Sequence, residues 1–197
     1  PSRTGRNKDG NSARYQDCIP KGMKSFQQRI TFLLLPRLSR KSDPMANTYT
    51  QIHIHAIFAV TSRACLIDPS WKKELYLYIS GIIANKRHRL LAINGMPDHL
   101  HLFFGMRPNQ SLSDLMQDIK GSSSLWINQK KFVSSRFSWQ EGYGAFSHGL
   151  SAMNTVIHYI HNQEIHHHKK DLIQEYRTLL SKSGIMYEDR FIFHPVL

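Results

Sequence analysis

The stretch Met96-Pro97-Asp98-His99-Leu100-His101-Leu102-Phe103-Phe104 decides how the chain is read. Pro97-Asp98 makes a tight turn, and an apolar run interrupted by two histidines follows it. Alternate side chains of a β-strand share one face. His99 and His101 therefore project together, while Leu100 and Leu102 point the other way. Two imidazoles side by side on a strand form half of a metal site. A bare His-x-His also occurs in half-buried strands that bind nothing, so the pair acquires meaning only from a second element.

Upstream of the turn, residues 90–95 are a strand, which makes 90–105 an antiparallel hairpin. Further back, Asp68-Pro69-Ser70 reads as a helix entry, with Asp68 as N-cap and Pro69 in the first turn. Residues 70–88 carry Trp71, Leu75, Tyr78, Ile79, Ile82 and Ile83 at helical spacing. Lys86-Arg87-His88-Arg89 close that helix with cations, which suits its dipole. Residues 49–61 read as a strand with a second His-x-His, His53 and His55, opposite Ile52 and Ile54. This second pair has no partner helix, so at most it lies near a site.

Downstream, Ser111-Leu112-Ser113-Asp114 opens a helix that runs to about Lys131, with Leu112, Leu115, Met116 and Ile119 on its buried side. Phe137-Ser138-Trp139 and Tyr143-Gly144-Ala145-Phe146 read as a last strand around a glycine-containing bend. The order strand, helix, strand, strand, helix, strand is the split βαβ arrangement, ferredoxin-like or RRM-like. The expected fold is α+β: an antiparallel sheet with both helices on one face and the other face left for function. Residues 152–168 add a third helix and residues around Leu172, Tyr176, Leu179 and Leu180 a fourth. Residues 184–193 are expected as a packed extension.

The length of 197 residues fits one domain with a real core. The formal net charge is +12, and it is unevenly placed. Residues 1–44 hold 10 Lys/Arg against 3 Asp/Glu, whereas residues 45–197 hold 16 against 11. Residues 1–44 are polar, basic and unpatterned, and are read as a disordered or non-native leader ahead of a folded unit at 45–197. The other reading is a basic arm on DNA phosphates. The two cysteines, Cys18 and Cys65, make no disulfide framework and suit a reducing cytoplasm. No apolar run approaches the length of a membrane span, and Ile30–Leu35 is too short and too far inside for a signal peptide.

The second half of the site is Tyr159-Ile160-His161-Asn162-Gln163. Residues four apart are neighbours on a helix face, which pairs Tyr159 with Gln163. Gln163 offers a carbonyl oxygen to a hard cation. Tyr159 offers a phenol, a useful nucleophile once a base or metal stabilises the phenolate. Taken singly, Tyr159 is an ordinary half-buried tyrosine and Gln163 an ordinary polar residue. With His99 and His101 they suit Mg²⁺ or Mn²⁺, with room for a phosphate oxygen. His166-His167-His168 binds adventitious metal or is simply solvated.

Pro97-Asp98-His99-Leu100-His101 resembles the His-hydrophobe-His signature of HUH endonucleases. Joined to Tyr159-Ile160-His161-Asn162-Gln163, it resembles the single-tyrosine, single-strand-DNA transposases of bacterial insertion sequences, the TnpA-like group and its palindromic-repeat-associated relatives. Ser111–Leu115, Phe137–Phe146 and Gly184–Glu188 match further, so the likeness covers roughly residues 46–193. It implies that His99, His101 and Gln163 hold Mg²⁺ or Mn²⁺ and that Tyr159 is the nucleophile. It also implies single-stranded, hairpin-ended DNA as substrate, a homodimer, and work on DNA in a bacterial cytoplasm. A catalytically silent DNA-binding protein of the same fold, or a replication or conjugation nickase, are the alternatives. Lys120, Lys130, Lys131 and Arg136 are candidate phosphate contacts. Trp139, Tyr143 and Phe146 are candidate stacking platforms, although core packing explains each more simply.

Overall fold

The computed structural model describes residues 49–167 and 171–193, apart from the His166 side chain. The expected leader at 1–44 and the last residue of the histidine run, His168, lie outside the described residues. The body forms β1 (Ile52–Ala59), α1 (Pro69–Asn85), β2 (Arg89–Met96), β3 (His99–Met106), α2 (Leu112–Lys130) and β4 (Gly144–His148). The strands make one sheet in the order β2-β3-β1-β4, every neighbouring pair antiparallel. This is the expected α+β arrangement.

Local chemistry sets the helix starts. Asp68 caps α1 by accepting from the Ser70 amide at 2.8 Å, with Pro69 in the first turn. Ser111 caps α2 by accepting from the Asp114 amide at 3.1 Å. Each cap satisfies one of the backbone donors that a helix start leaves unpaired. Strand alternation then divides the sheet. Ile54, Ala56 and Phe58 of β1, with Leu100, Leu102 and Phe104 of β3, face α1 and α2 in the main core. Gly95 brings β2 close to β3: a Cβ there would meet the His99 carbonyl oxygen and Leu100.

The opposite face is covered as well, by three further helices: α3 (Met153–His161), α4 (Gln163–His167) and α5 (Leu172–Lys182). Val156 and Ile160 of α3 pack on Ala92 and Phe103. Leu172, Tyr176 and Leu180 of α5 pack on Ile57, Ala59 and Phe146. The face expected to be left for function is thus a second buried interface. β3 is consequently buried on both faces along most of its length.

Three expectations are corrected. The last strand lies at Gly144–His148 rather than starting at Phe137. Phe137 and Trp139 alternate like strand residues, but they plug the main core from a loop, and only a single Val60–Trp139 bridge joins them to the sheet. The helix expected over 152–168 breaks at Asn162, whose φ of −96° and ψ of 20° leave the helical well. Of the 184–193 extension, Ile192 and Phe193 pack in the core while Met186 and Phe191 stay exposed. Among the described residues no helix is long and apolar enough to cross a membrane.

Candidate active and metal centre

His99 and His101 point from β3 toward the α3–α5 layer, and both imidazoles are completely buried. Their outer nitrogens are occupied. His99 Nδ1 lies 2.7 Å from Asp98 Oδ1. Asp98 accepts in turn from Arg63 Nε and Nη2, at 3.1 Å each. Arg63 reaches it from a turn in which Ser62 and Arg63 adopt left-handed backbone, φ 56° and 52°, at roughly 1–2 kcal/mol per residue. His101 Nδ1 lies 3.0 Å from His55 Nε2. His55 is its diagonal neighbour across the β1–β3 ladder. With both Nδ1 atoms engaged, both Nε2 atoms face a common point. Asp98 fixes the orientation and tautomer of His99, and His55 fixes the orientation of the His101 ring.

The helices supply the other half. Tyr159 lies on α3, Gln163 opens α4 and His167 closes it. The three are spaced by four, and they share a face despite the break at Asn162. All meet Glu175 of α5. Tyr159 Oη donates to Glu175 Oε1, and Gln163 Nε2 donates to the same oxygen at 3.1 Å. His167 Nε2 is 3.0 Å from Glu175 Oε2 and 3.1 Å from His99 Nε2. His101 Nε2 is 3.7 Å from Glu175 Oε1. The Tyr159 ring stands edge-on to His55 and His101, with centroids 6.1 and 6.2 Å away. The four residues expected to converge, His99, His101, Tyr159 and Gln163, do so within one chain.

Burial sets the electrostatics. It lowers the proton affinity of His101 far below the ordinary imidazole value, with Glu175 pulling the other way. It lowers His99 as well, against the pull of Asp98. Burial thus favours the neutral form of both rings, the form that binds metal. Burial disfavours charge on Glu175 too, but His101 and His167 outweigh it and hold the carboxyl far below its usual range. Burial and then the Glu175 charge push the Tyr159 phenol well above its ordinary value. In this arrangement the proton stays on Tyr159.

The residues fit a divalent cation. His101 Nε2 and Gln163 Oε1 are buried polar atoms with no hydrogen-bond partner. An unsatisfied buried polar atom costs about 1–3 kcal/mol, and a cation at the common point would engage both. Beside Tyr159 and Glu175 opens a cavity of about 480 Å³, also lined by His55, His148 and Lys182.

The other candidates are placed elsewhere. Lys120, Lys130 and Lys131 belong to α2 or its end, on the sheet face opposite the centre, and Arg136 follows in the next loop. Lys120 Nζ donates to the carbonyls of Gln140, at 2.7 Å, and Gly142, so it braces the loop. Lys130, Lys131 and Arg136 are exposed. Trp139 is buried edge-on against Phe58, at 4.7 Å, and its Nε1 donates to Ser123 Oγ at 2.9 Å. Phe146 is buried against Tyr176, and half-buried Tyr143 packs against the main core.

Sequence reasoning missed Asp98, Glu175 and His167 as parts of the centre, and placed His55 only nearby. His167 had a legible signal, the step of four from Gln163. Glu175 had none, because its helix meets the centre only in three dimensions.

Residues 48–163 match the family model of IS200-like transposases. The chain belongs to that family. No curated protein matches it. Among solved structures, a candidate transposase from Deinococcus radiodurans R1 superposes with a TM-score of 0.51 at 20% identity, over 62% of this chain and 98% of that one. A REP-associated tyrosine transposase bound to a REP hairpin gives a TM-score of 0.48 at 13% identity, over 64% and 74%. The first likeness extends to the fold alone. In the transposase the family match ends at Gln163, so His167 and Glu175 lie beyond it.

Proposed function

We propose that this transposase cleaves and rejoins single-stranded DNA at insertion-sequence ends, through a 5′-phosphotyrosine on Tyr159. The observation that carries the reading is the meeting of Tyr159, Gln163, His99 and His101 around Glu175. Tyr159 Oη attacks the scissile phosphorus, the bond from phosphorus to the 3′ oxygen breaks, and that oxygen leaves with a proton as a free hydroxyl. Rejoining is the reverse attack by a 3′ hydroxyl on the phosphotyrosine. His99, His101 and Gln163 would hold Mg²⁺ or Mn²⁺. When bound, the cation supplies positive charge that neutralises the growing phosphate charge and favours the phenolate. Gln163 and Tyr159 both donate to Glu175, which fixes the phenol beside the imidazoles. Asp98, Arg63 and His55 keep the imidazoles aimed.

The tyrosine and the imidazoles of one chain are already together, which supports action by each subunit on its own site within a homodimer. The substrate is a single strand with hairpin ends, in a bacterial cytoplasm. The test is an end-labelled hairpin strand incubated with the protein and Mg²⁺ or Mn²⁺, resolved under denaturing conditions. A protein–DNA adduct is expected, with complete loss in Tyr159→Phe. Binding without an adduct would instead mark a silent DNA-binding protein, and cleavage without joining a nickase.

A further inference from the structure

We propose that the centre is a four-ligand site, with His99, His101, His167 and Glu175 as its ligands, that takes a borderline transition cation such as Zn²⁺, Co²⁺ or Mn²⁺ in preference to Mg²⁺. The inference rests on the reading above that His99 and His101 bind a cation, and it specifies what kind. One ligand atom from each of the four residues lies within 4.8 Å of all the others, and all four side chains are buried. His99 Nε2 and His167 Nε2 are 3.1 Å apart, and the two Glu175 oxygens lie 3.0 Å from His167 Nε2 (Oε2) and 3.7 Å from His101 Nε2 (Oε1). A tetrahedral ion with bonds of 2.0–2.1 Å spaces its ligands by about 3.3 Å. The shorter contacts lie near that value, and with all four ligand atoms within 4.8 Å of one another the side chains need draw in only slightly around an ion.

The surroundings point the same way. Asp98 and His55 engage the Nδ1 atoms of His99 and His101 and leave Nε2 of each facing inward. His101 Nε2 is buried and has no hydrogen-bond partner. Glu175 is a buried carboxylate, and among the described residues its only ion-pair partners are imidazoles. A buried charge without a matching cation is costly. Gln163 Nε2 steadies Glu175 and leaves its own oxygen for a fifth position. The donor set decides the class of metal. Three imidazole nitrogens and one carboxylate suit Zn²⁺, Co²⁺ and Mn²⁺, whereas Mg²⁺ prefers oxygen ligands, octahedral geometry and several waters. Two of the four ligands come from α4 and α5, so these helices complete the metal centre as well as covering the sheet.

The test is titration of the chelator-treated full chain with Co²⁺, followed by visible absorption, with no DNA present. The expected result is one equivalent of Co²⁺ with the intense bands of a four-coordinate ion, displaced by Zn²⁺ but not by a large excess of Mg²⁺. His167→Ala and Glu175→Gln should each weaken binding by on the order of 100-fold or more, since even outer partners of a metal ligand change affinity about 10–100-fold. Glu175→Asp, which keeps a carboxylate, should recover part of the loss. Circular dichroism of each metal-free variant checks that it folds, and His167→Asn replaces His167→Ala should that variant fail. Wild-type affinity in both His167→Ala and Glu175→Gln, or equal competition by Mg²⁺, overturns the four-ligand site. His101→Ala separates the two readings. If it alone loses Co²⁺, the two-imidazole centre stands and only the added ligands fall. If it also binds normally, both readings fall.

Discussion

At the scale of single residues, the centre works by surrounding neutral imidazoles with fixed partners. Asp98 is the clearest case, since it joins the Arg63 guanidinium to the His99 ring. Asp98→Asn should keep the fold and weaken Co²⁺ binding about 10–100-fold, read by the same titration. His55 gives a pH dependence. Burial, and then the nearby His148, lower its proton affinity from 6.5 to about 4. The unfolded chain therefore takes up a proton near pH 6.5 that the folded chain refuses until about pH 4. Its contribution is complete above 6.5 and is lost as pH falls from there toward 4. Urea unfolding of chelator-treated protein should show stability falling across that window by a few kcal/mol, about 1.4 kcal/mol for each step of one in pH. His55→Phe should reduce the slope by the His55 share and leave the part that comes from His99 and His101, whose proton affinities burial also lowers.

At the scale of elements, hydrophobic periodicity made α1, α2 and the β2–β3 hairpin legible, because each buries one stripe or one face in the main core. The pattern failed where a loop borrowed it. Phe137 and Trp139 alternate because both fill the space beneath α2, and nothing in their spacing separates that from a ladder. The break at Asn162 carries no Gly or Pro, and asparagine is only a mediocre helix former. The strand and helix halves of the centre were readable as His-x-His and a step of four. Glu175 was not, because α5 meets the centre through packing and not through sequence spacing. The docking of α5 can be tested at Gly144, where an added Cβ would press into the Tyr176 ring. Gly144→Ala should cost about 1–3 kcal/mol and lower hydrogen-exchange protection in α5, leaving α1 and α2 protected. Ile160→Ala, beneath the tyrosine helix on Phe103, should cost about 2–5 kcal/mol in chemical denaturation.

At the scale of the whole molecule, the net charge of +12 favours polyanions. Binding to a hairpin strand should weaken steeply with salt. Each phosphate contact on a single strand adds about 0.7 to the log–log slope. Replacing both exposed Lys130 and Lys131 by Ala should therefore reduce the slope by about 1.4. Lys120→Ala should leave it unchanged and instead loosen the 140–142 loop, because its ammonium is already committed to backbone carbonyls. Filter binding at several ionic strengths separates these outcomes.

The double burial of β3 has a consequence for timing. Amides in a strand sealed between two layers exchange with solvent only when the whole domain opens, so His99 and His101 keep their places for as long as the protein is folded. The partners on α3, α4 and α5 are held from one side only, by packing that can give way locally. Local opening of these helices would leave the two imidazoles in place, so in the proposed reaction Tyr159 would meet the same two nitrogens each time its helix closed.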